Sequence, residues 1–264
     1  SITSSVRANT AYGQSIVSHT GTGSLSTVGH GLSQTPTFII TKKRSASSAW
    51  SVQHHEMMTS STGKLILEST DGVVASSTAY MFSATSSVFS PIYTNIGVTM
   101  ISYCFHDVAN YSKFGSYSGT GSSGNAITTG FAPAFVMTKR TDAVSNWIMW
   151  DNARNPSNTA DKHLLANASS AEATATNPAI DFTSTGFELA GNDSSFNASG
   201  GTYIYAAFAD TREYAYWLDQ SGNNNDWTSN DLTESDVMVD SPTNNFATLN
   251  PVDHKEFTFS EGNL

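Results

Sequence analysis

Apolar positions in this chain come in short runs separated by clusters of Gly, Asn, Ser and Thr. Ser15-Ile16-Val17-Ser18-His19 predicts a short strand that runs into the turn Gly21-Thr22-Gly23. Thr37 to Lys42 holds the unbroken apolar run Phe38-Ile39-Ile40, the pattern of a strand buried on both faces. Pro36 and Pro133 stand just before such strands, where a missing N–H is tolerated. Loops (Ser45 to Ala49, Thr141 to Asn146) lead into strands begun by Trp50 and Trp147. The last apolar run alternates, with Tyr203, Tyr205 and Ala207 on one face and Ile204, Ala206 and Phe208 on the other. Only the polar stretch Asn152 to Ala175 offers a helical turn or two, near Ser169-Ser170-Ala171-Glu172. Short, regularly spaced strands predict an all-β chain built as β-sandwiches or jelly rolls.

The pattern repeats. Thr20-Gly21-Thr22-Gly23-Ser24 returns as Ser118-Gly119-Thr120-Gly121-Ser122, and Pro36-Thr37-Phe38-Ile39-Ile40-Thr41-Lys42 as Pro133-Ala134-Phe135-Val136-Met137-Thr138-Lys139. Trp50 returns as Trp147, Ser87-Val88-Phe89 as Thr185-Gly186-Phe187, and Met100 to Asp107 as Tyr203 to Asp210. The order of blocks is kept, so the chain carries a duplicated domain: residues 14–110 and 111–210, after a connector 1–13 and before a connector 211–264. The short link Val108 to Gly115 predicts two copies in a fixed relation, end to end.

Composition narrows the classes. Ser, Thr, Asn and Gly make about 42% of the 264 residues and charged residues only 13%, a chain poor in helix formers. The net charge is −10, nearly all of it from Asp210 onward, where the only bases are Arg212 and Lys255. That balance argues against nucleic acid, which needs a basic stripe. No apolar run reaches the roughly 20 residues of a membrane span, so no membrane insertion is expected. One cysteine, Cys104, leaves no disulfide framework and no thiolate metal cluster; its register with Ala207 makes it a small buried side chain.

Three segments carry a resemblance: Asn110-Tyr111-Ser112-Lys113-Phe114-Gly115-Ser116-Tyr117-Ser118-Gly119-Thr120-Gly121-Ser122, Gly130 to Asp142, and Asn197-Ala198-Ser199-Gly200-Gly201 through Ala209. They resemble the tandem-repeat domains of structural, tail-fibre-like proteins of marine tailed bacteriophages, over roughly residues 13–210. Copy one departs from the pattern at Thr94-Asn95-Ile96-Gly97-Val98. Asp219 to Leu264 looks like the connector that in such chains leads into a lectin-like sandwich. The resemblance implies a virion-surface location and no catalytic residues.

Candidate chemistry is sparse. A polysaccharide-cleaving site would draw its two carboxylates from Asp142, Asp151, Asp161 and Asp181, but copy one has Ser45 and His54 where copy two has Asp142 and Asp151. His54-His55-Glu56 reads as a polar strand end, because adjacent side chains on a strand point to opposite faces; a metal would need His30 and Glu68 to converge with them. Asp219 to Asp226 spaces oxygen ligands as calcium loops do but lacks the closing Glu, since Asn230 stands there. No cofactor is expected. Gly21-Thr22-Gly23 reads as a hairpin turn and not as a phosphate loop.

The aromatics remain. Trp50 and Trp147 read as sandwich core, whereas Trp150, matched by Gln53 in copy one, reads as surface or interface. With Asp151, Trp217 and Trp227 it forms the candidate set for glycan or interface contacts, near Tyr214 and Tyr216. The expected function is a non-enzymatic spacer or display module of a phage virion with a role in host attachment, as a homo-oligomer (a trimer) or with other virion proteins. The alternative is a carbohydrate-binding adhesin that recognises a host-surface glycan; a capsid decoration protein or a depolymerase stands behind both.

Overall fold

The computed structural model describes residues 2–209 apart from 25, 59–62, 76–82, 92–95, 156 and 176. The described residues are all-β apart from one 3-10 turn, and Ser1–Asp210 forms one compact unit. Copy one runs β1 (Ser4–Asn9), β2 (Gln14–Thr20), β3 (Val28–Gly29), β4 (Phe38–Lys43), β5 (Ser51–His54), β6 (Gly63–Ile66), β7 (Val74–Ala75), β8 (Val88–Phe89) and β9 (Thr99–Phe105). Copy two runs β10 (Ser112–Ser118), β11 (Asn125–Thr128), β12 (Pro133–Arg140), β13 (Trp147–Asp151), β14 (Lys162–Leu165), β15 (Ala173–Thr174), β16 (Ile180–Thr183), β17 (Gly186–Leu189) and β18 (Thr202–Ala209). Every pairing between these strands is antiparallel.

The duplication is visible strand by strand. The large sheet of copy one has the order β1-β2-β9-β4-β5-β6-β7, and that of copy two β10-β18-β12-β13-β14-β15. Small sheets follow the same rule, β3-β8 against β11-β17-β16. Hydrogen bonds outside the ladders recur as well. Gly21 N donates to Val98 O at 2.8 Å, as Gly119 N does to Gly201 O at 2.8 Å. Leu67 N donates to Trp50 O, as Ala166 N does to Trp147 O.

Each large sheet carries buried residues on both of its faces. Toward its own small sheet, copy one packs Val17, Ile39 and Cys104 against Val28 and Phe89. Copy two packs Val136, Ile148, Trp150 and Tyr205 against Ile127, Phe187 and Leu189. The remaining faces meet each other: Phe38, Val52 and Leu65 of copy one lie against Phe114, Trp147, Ile204 and Ala206 of copy two. The alternation read for Tyr203 to Phe208 holds, one face in each core.

The copies therefore stack face to face, and not end to end as the short link implied. An end-to-end arrangement would leave Phe114, Trp147 and Ile204 in water, forfeiting roughly 1.5–3 kcal/mol for each large side chain. Backbones touch across the seam, where Val73 N donates to Thr141 O and Ser145 N to Thr70 O, both at 2.7 Å. Gly72 is small for that reason, since a Cβ there would lie 2.8 Å from the Thr141 carbonyl.

Three local expectations are corrected. Residues 4–9 are not a connector but edge strand β1, paired along its whole length with β2. Ser169 to Glu172 is not helical; β14 and β15 pair across it, and serines there favour local backbone bonds over helix. Gly21-Thr22-Gly23 is not a hairpin turn, because β2 pairs with β1 and β9 while the chain passes on to β3 in the small sheet.

Candidate functional site

Trp150 is fully buried, so the surface expectation for it is overturned. Its ring lies 5.9 Å from that of Phe196 and 6.3 Å from that of His163. The reason is parity: three positions apart on β13, Trp147 and Trp150 point to opposite faces, and each meets its own core. Trp147 is core, as expected. Trp50 is only half-buried and belongs to no core cluster, so the core reading fails for it.

Asp151 serves its own loop. Its carboxylate accepts from Arg154 Nε at 2.6 Å and from Arg154 N at 2.9 Å, while Arg154 Nη1 reaches Glu172 at 2.8 Å. Trp217, Trp227, Tyr214, Tyr216 and the loop Asp219 to Asp226 lie outside the described residues.

Asp142 and Asp161 are tied locally too. Asp142 accepts from Arg140 Nε at 2.9 Å and Nη2 at 3.2 Å and from Thr202 N at 3.2 Å. Hydrogen bonding to Arg140 holds the Asp142 carboxyl below its ordinary pKa, against a proton-donor role. Asp161 accepts from Asn155 Nδ2 at 3.0 Å, and Asp181 stands on β16 with one buried carboxylate oxygen that makes no hydrogen bond among the described residues.

His54 and His55 do not point to opposite faces. β5 ends at His54 and a 3-10 turn, His55–Met58, begins, which lays the rings side by side 5.0 Å apart at 26°. They make no ligand set. His54 Nδ1 accepts from Glu56 N at 3.1 Å, and His55 Nε2 lies 3.1 Å from the Phe114 carbonyl across the seam. His30 holds its own loop, Nε2 on Thr85 O at 3.0 Å and Nδ1 accepting from Leu32 N at 3.1 Å; Glu68 accepts from Trp50 N at 3.0 Å. Among the described residues no group of three or more His, Cys, Asp or Glu is placed to hold a metal. Cys104 is buried and its thiol is pushed up to about 12 by burial, which fits the small-core reading.

What stays open is part of one sheet face. Across the large sheet of copy one a cross-strand row runs Arg7, Ile16, Tyr103, Ile40, Val52, Leu65. Val52 and Leu65 are fully buried under copy two, Ile40 and Tyr103 half-buried, and Ile16 is 46% exposed. A depression of about 330 Å³ lies at the open end, bounded by Arg7, Asn9, Gln14, Ile16, Tyr103 and Phe105. Beside it the Trp50 and Tyr103 rings stack at 6.3 Å and 29°, with Lys42 Nζ 5.6 Å from the Trp50 ring centre. The sequence places its candidate surface aromatics in copy two and the connector after it, at Trp150, Trp217 and Trp227. The missed signal was the copy-one row Ile16, Ile101, Tyr103, whose outward parity matches Phe114, Ile204 and Ala206.

Among the described residues no helix is long and apolar enough to cross a membrane. In comparisons with known proteins, a family model described as a domain of unknown function (DUF7483) matches residues 1–212. No curated protein and no solved structure matches.

Proposed function

We propose that this chain, which belongs to the family described as a domain of unknown function (DUF7483), is a non-enzymatic structural module displayed on the surface of a virion. The observation that carries the reading is the middle core, in which two copies of one sandwich bury their large sheets against each other. Such a stack joins its copies through packed side chains, with a single cysteine and so no internal disulfide, which suits a spacer exposed outside a cell. Local use of Asp142, Asp151 and Asp161 by neighbouring side chains supports a structural over a hydrolytic role. The virion location rests on the resemblance of the repeat segments to tail-fibre-like proteins. The test is mass spectrometry of purified particles, with gold-labelled antibody to residues 1–210. Labelled particles are expected; antigen confined to the infected-cell lysate contradicts the reading.

A second reading, a glycan-binding adhesin, draws support from the Trp50–Tyr103 ring pair on the open face, not from Trp150. It expects glycan-array binding that Trp50→Ala abolishes. An array without binding removes it.

A further inference from the structure

The duplication supplies an internal control for the open face. In copy two, Phe114, Ile204, Ala206 and Trp147 form one patch, buried against Phe38, Val52 and Leu65 of copy one. By sequence register their copy-one counterparts are Ile16, Ile101, Tyr103 and Trp50, and none of these belongs to a core cluster. The counterparts of Phe38, Val52 and Leu65 are Phe135, Met149 and Leu164, all three only half-buried. The chain thus makes one knob-to-hole contact internally and keeps an unused knob patch on copy one and an unused hole patch on copy two.

Polar contacts show the same asymmetry. Trp147 Nε1 donates across the seam to Ile66 O at 2.9 Å, and Lys139 Nζ donates to Thr70 O at 3.0 Å as well as to Ser145 O at 2.7 Å. Lys42 repeats the local half of this device by donating to Ser48 O. Neither Lys42 nor Trp50 makes the cross-seam half among the described residues. The carbonyl matching Thr70 in register belongs to Ser169, which is exposed.

We propose that a second copy of this chain docks on the open face, its Phe135–Met149–Leu164 patch receiving Ile16, Ile101, Tyr103 and Trp50 as the internal seam receives their counterparts. The contact is heterologous, so it closes into a ring or continues as an array. It depends on the repeat geometry and not on the virion reading, so either can fail without the other.

The test is sedimentation velocity of the full chain over a concentration series, with Ile16→Glu on the knob patch and Met149→Glu on the hole patch. The parent is expected to self-associate, and each variant alone to shift half-association upward by about tenfold or more. Mixing the two variants should restore a dimer, because each keeps the half that the other lost. Thermal melts check folding, and Leu164→Gln replaces Met149→Glu if that variant melts early. A parent that stays monomeric at every concentration, variants that associate like the parent, or a mixture that behaves as its components each overturn the proposal. So does a glycan bound at Trp50 without self-association.

Discussion

Phe38 and Phe114 belong to different repeats, yet their rings stack 5.3 Å apart and 10° from parallel. Phe105 and Phe208, counterparts in the two copies, close around them at 5.8 Å and 5.6 Å from Phe114. Aromatic pairs of this kind add about 0.5–1.5 kcal/mol beyond the burial of their area. The repeats are thereby joined through side chains far from the link that connects them in sequence. Losing either copy would expose the large sheet of the other.

The interior of copy one is more polar than that of copy two. Gln53 is buried, and among the described residues neither of its amide atoms has a hydrogen-bond partner, at the position where copy two has Trp150. Gln53→Leu should stabilise the fold by about 1 kcal/mol, because it removes two desolvated polar atoms at similar volume. Trp150→Gln should cost roughly 3 kcal/mol or more. Urea unfolding of both variants checks the pair; a destabilising Gln53→Leu contradicts it.

Much of this fold was legible in the chain. The repeat blocks, the alternation of Tyr203 to Phe208 and the two-sided burial of Thr37 to Lys42 follow from periodicity, which is a local property. The stacking of the copies was not, because link length constrains distance and not which faces meet. Trp150 misled for a related reason: its mismatch with Gln53 looked like a surface feature, whereas the two cores are filled differently. His54 and His55 share a side only because the strand stops between them, and strand ends are poorly marked in sequence.

Lys139 is fully buried, and burial lowers its pKa to about 8 from 10.5, with nearby Asp71 opposing the shift and Arg140 adding to it. The unfolded chain keeps that proton up to about pH 10.5, so this group's contribution to stability rises as pH climbs from about 8 toward 10.5 and is lost below. Lys139→Met orphans the Thr70 and Ser145 carbonyls, which should cost about 1–3 kcal/mol at neutral pH. Its deficit against the parent should widen with pH across that window. Parallel profiles in melts at graded pH contradict the assignment.

Acid should act on the shared fold through a group in copy one. Burial lowers the pKa of His19 from 6.5 to about 4, while its counterpart in copy two is Tyr117. The fold holds the imidazole neutral, so its share of stability is complete above pH 6.5 and is lost as pH falls through about 4. His19→Gln should flatten the stability profile between those values. An unchanged slope in acid titrations followed by fluorescence counts against a desolvated His19.

The claim that the two copies share one core is tested most directly by native-state hydrogen exchange on Phe114→Ala. A shared core predicts that β9 of copy one and β18 of copy two lose protection together, by the same free energy of roughly 3–5 kcal/mol. Protection lost from β10, β12 and β18 while β4, β5 and β9 keep theirs would contradict it.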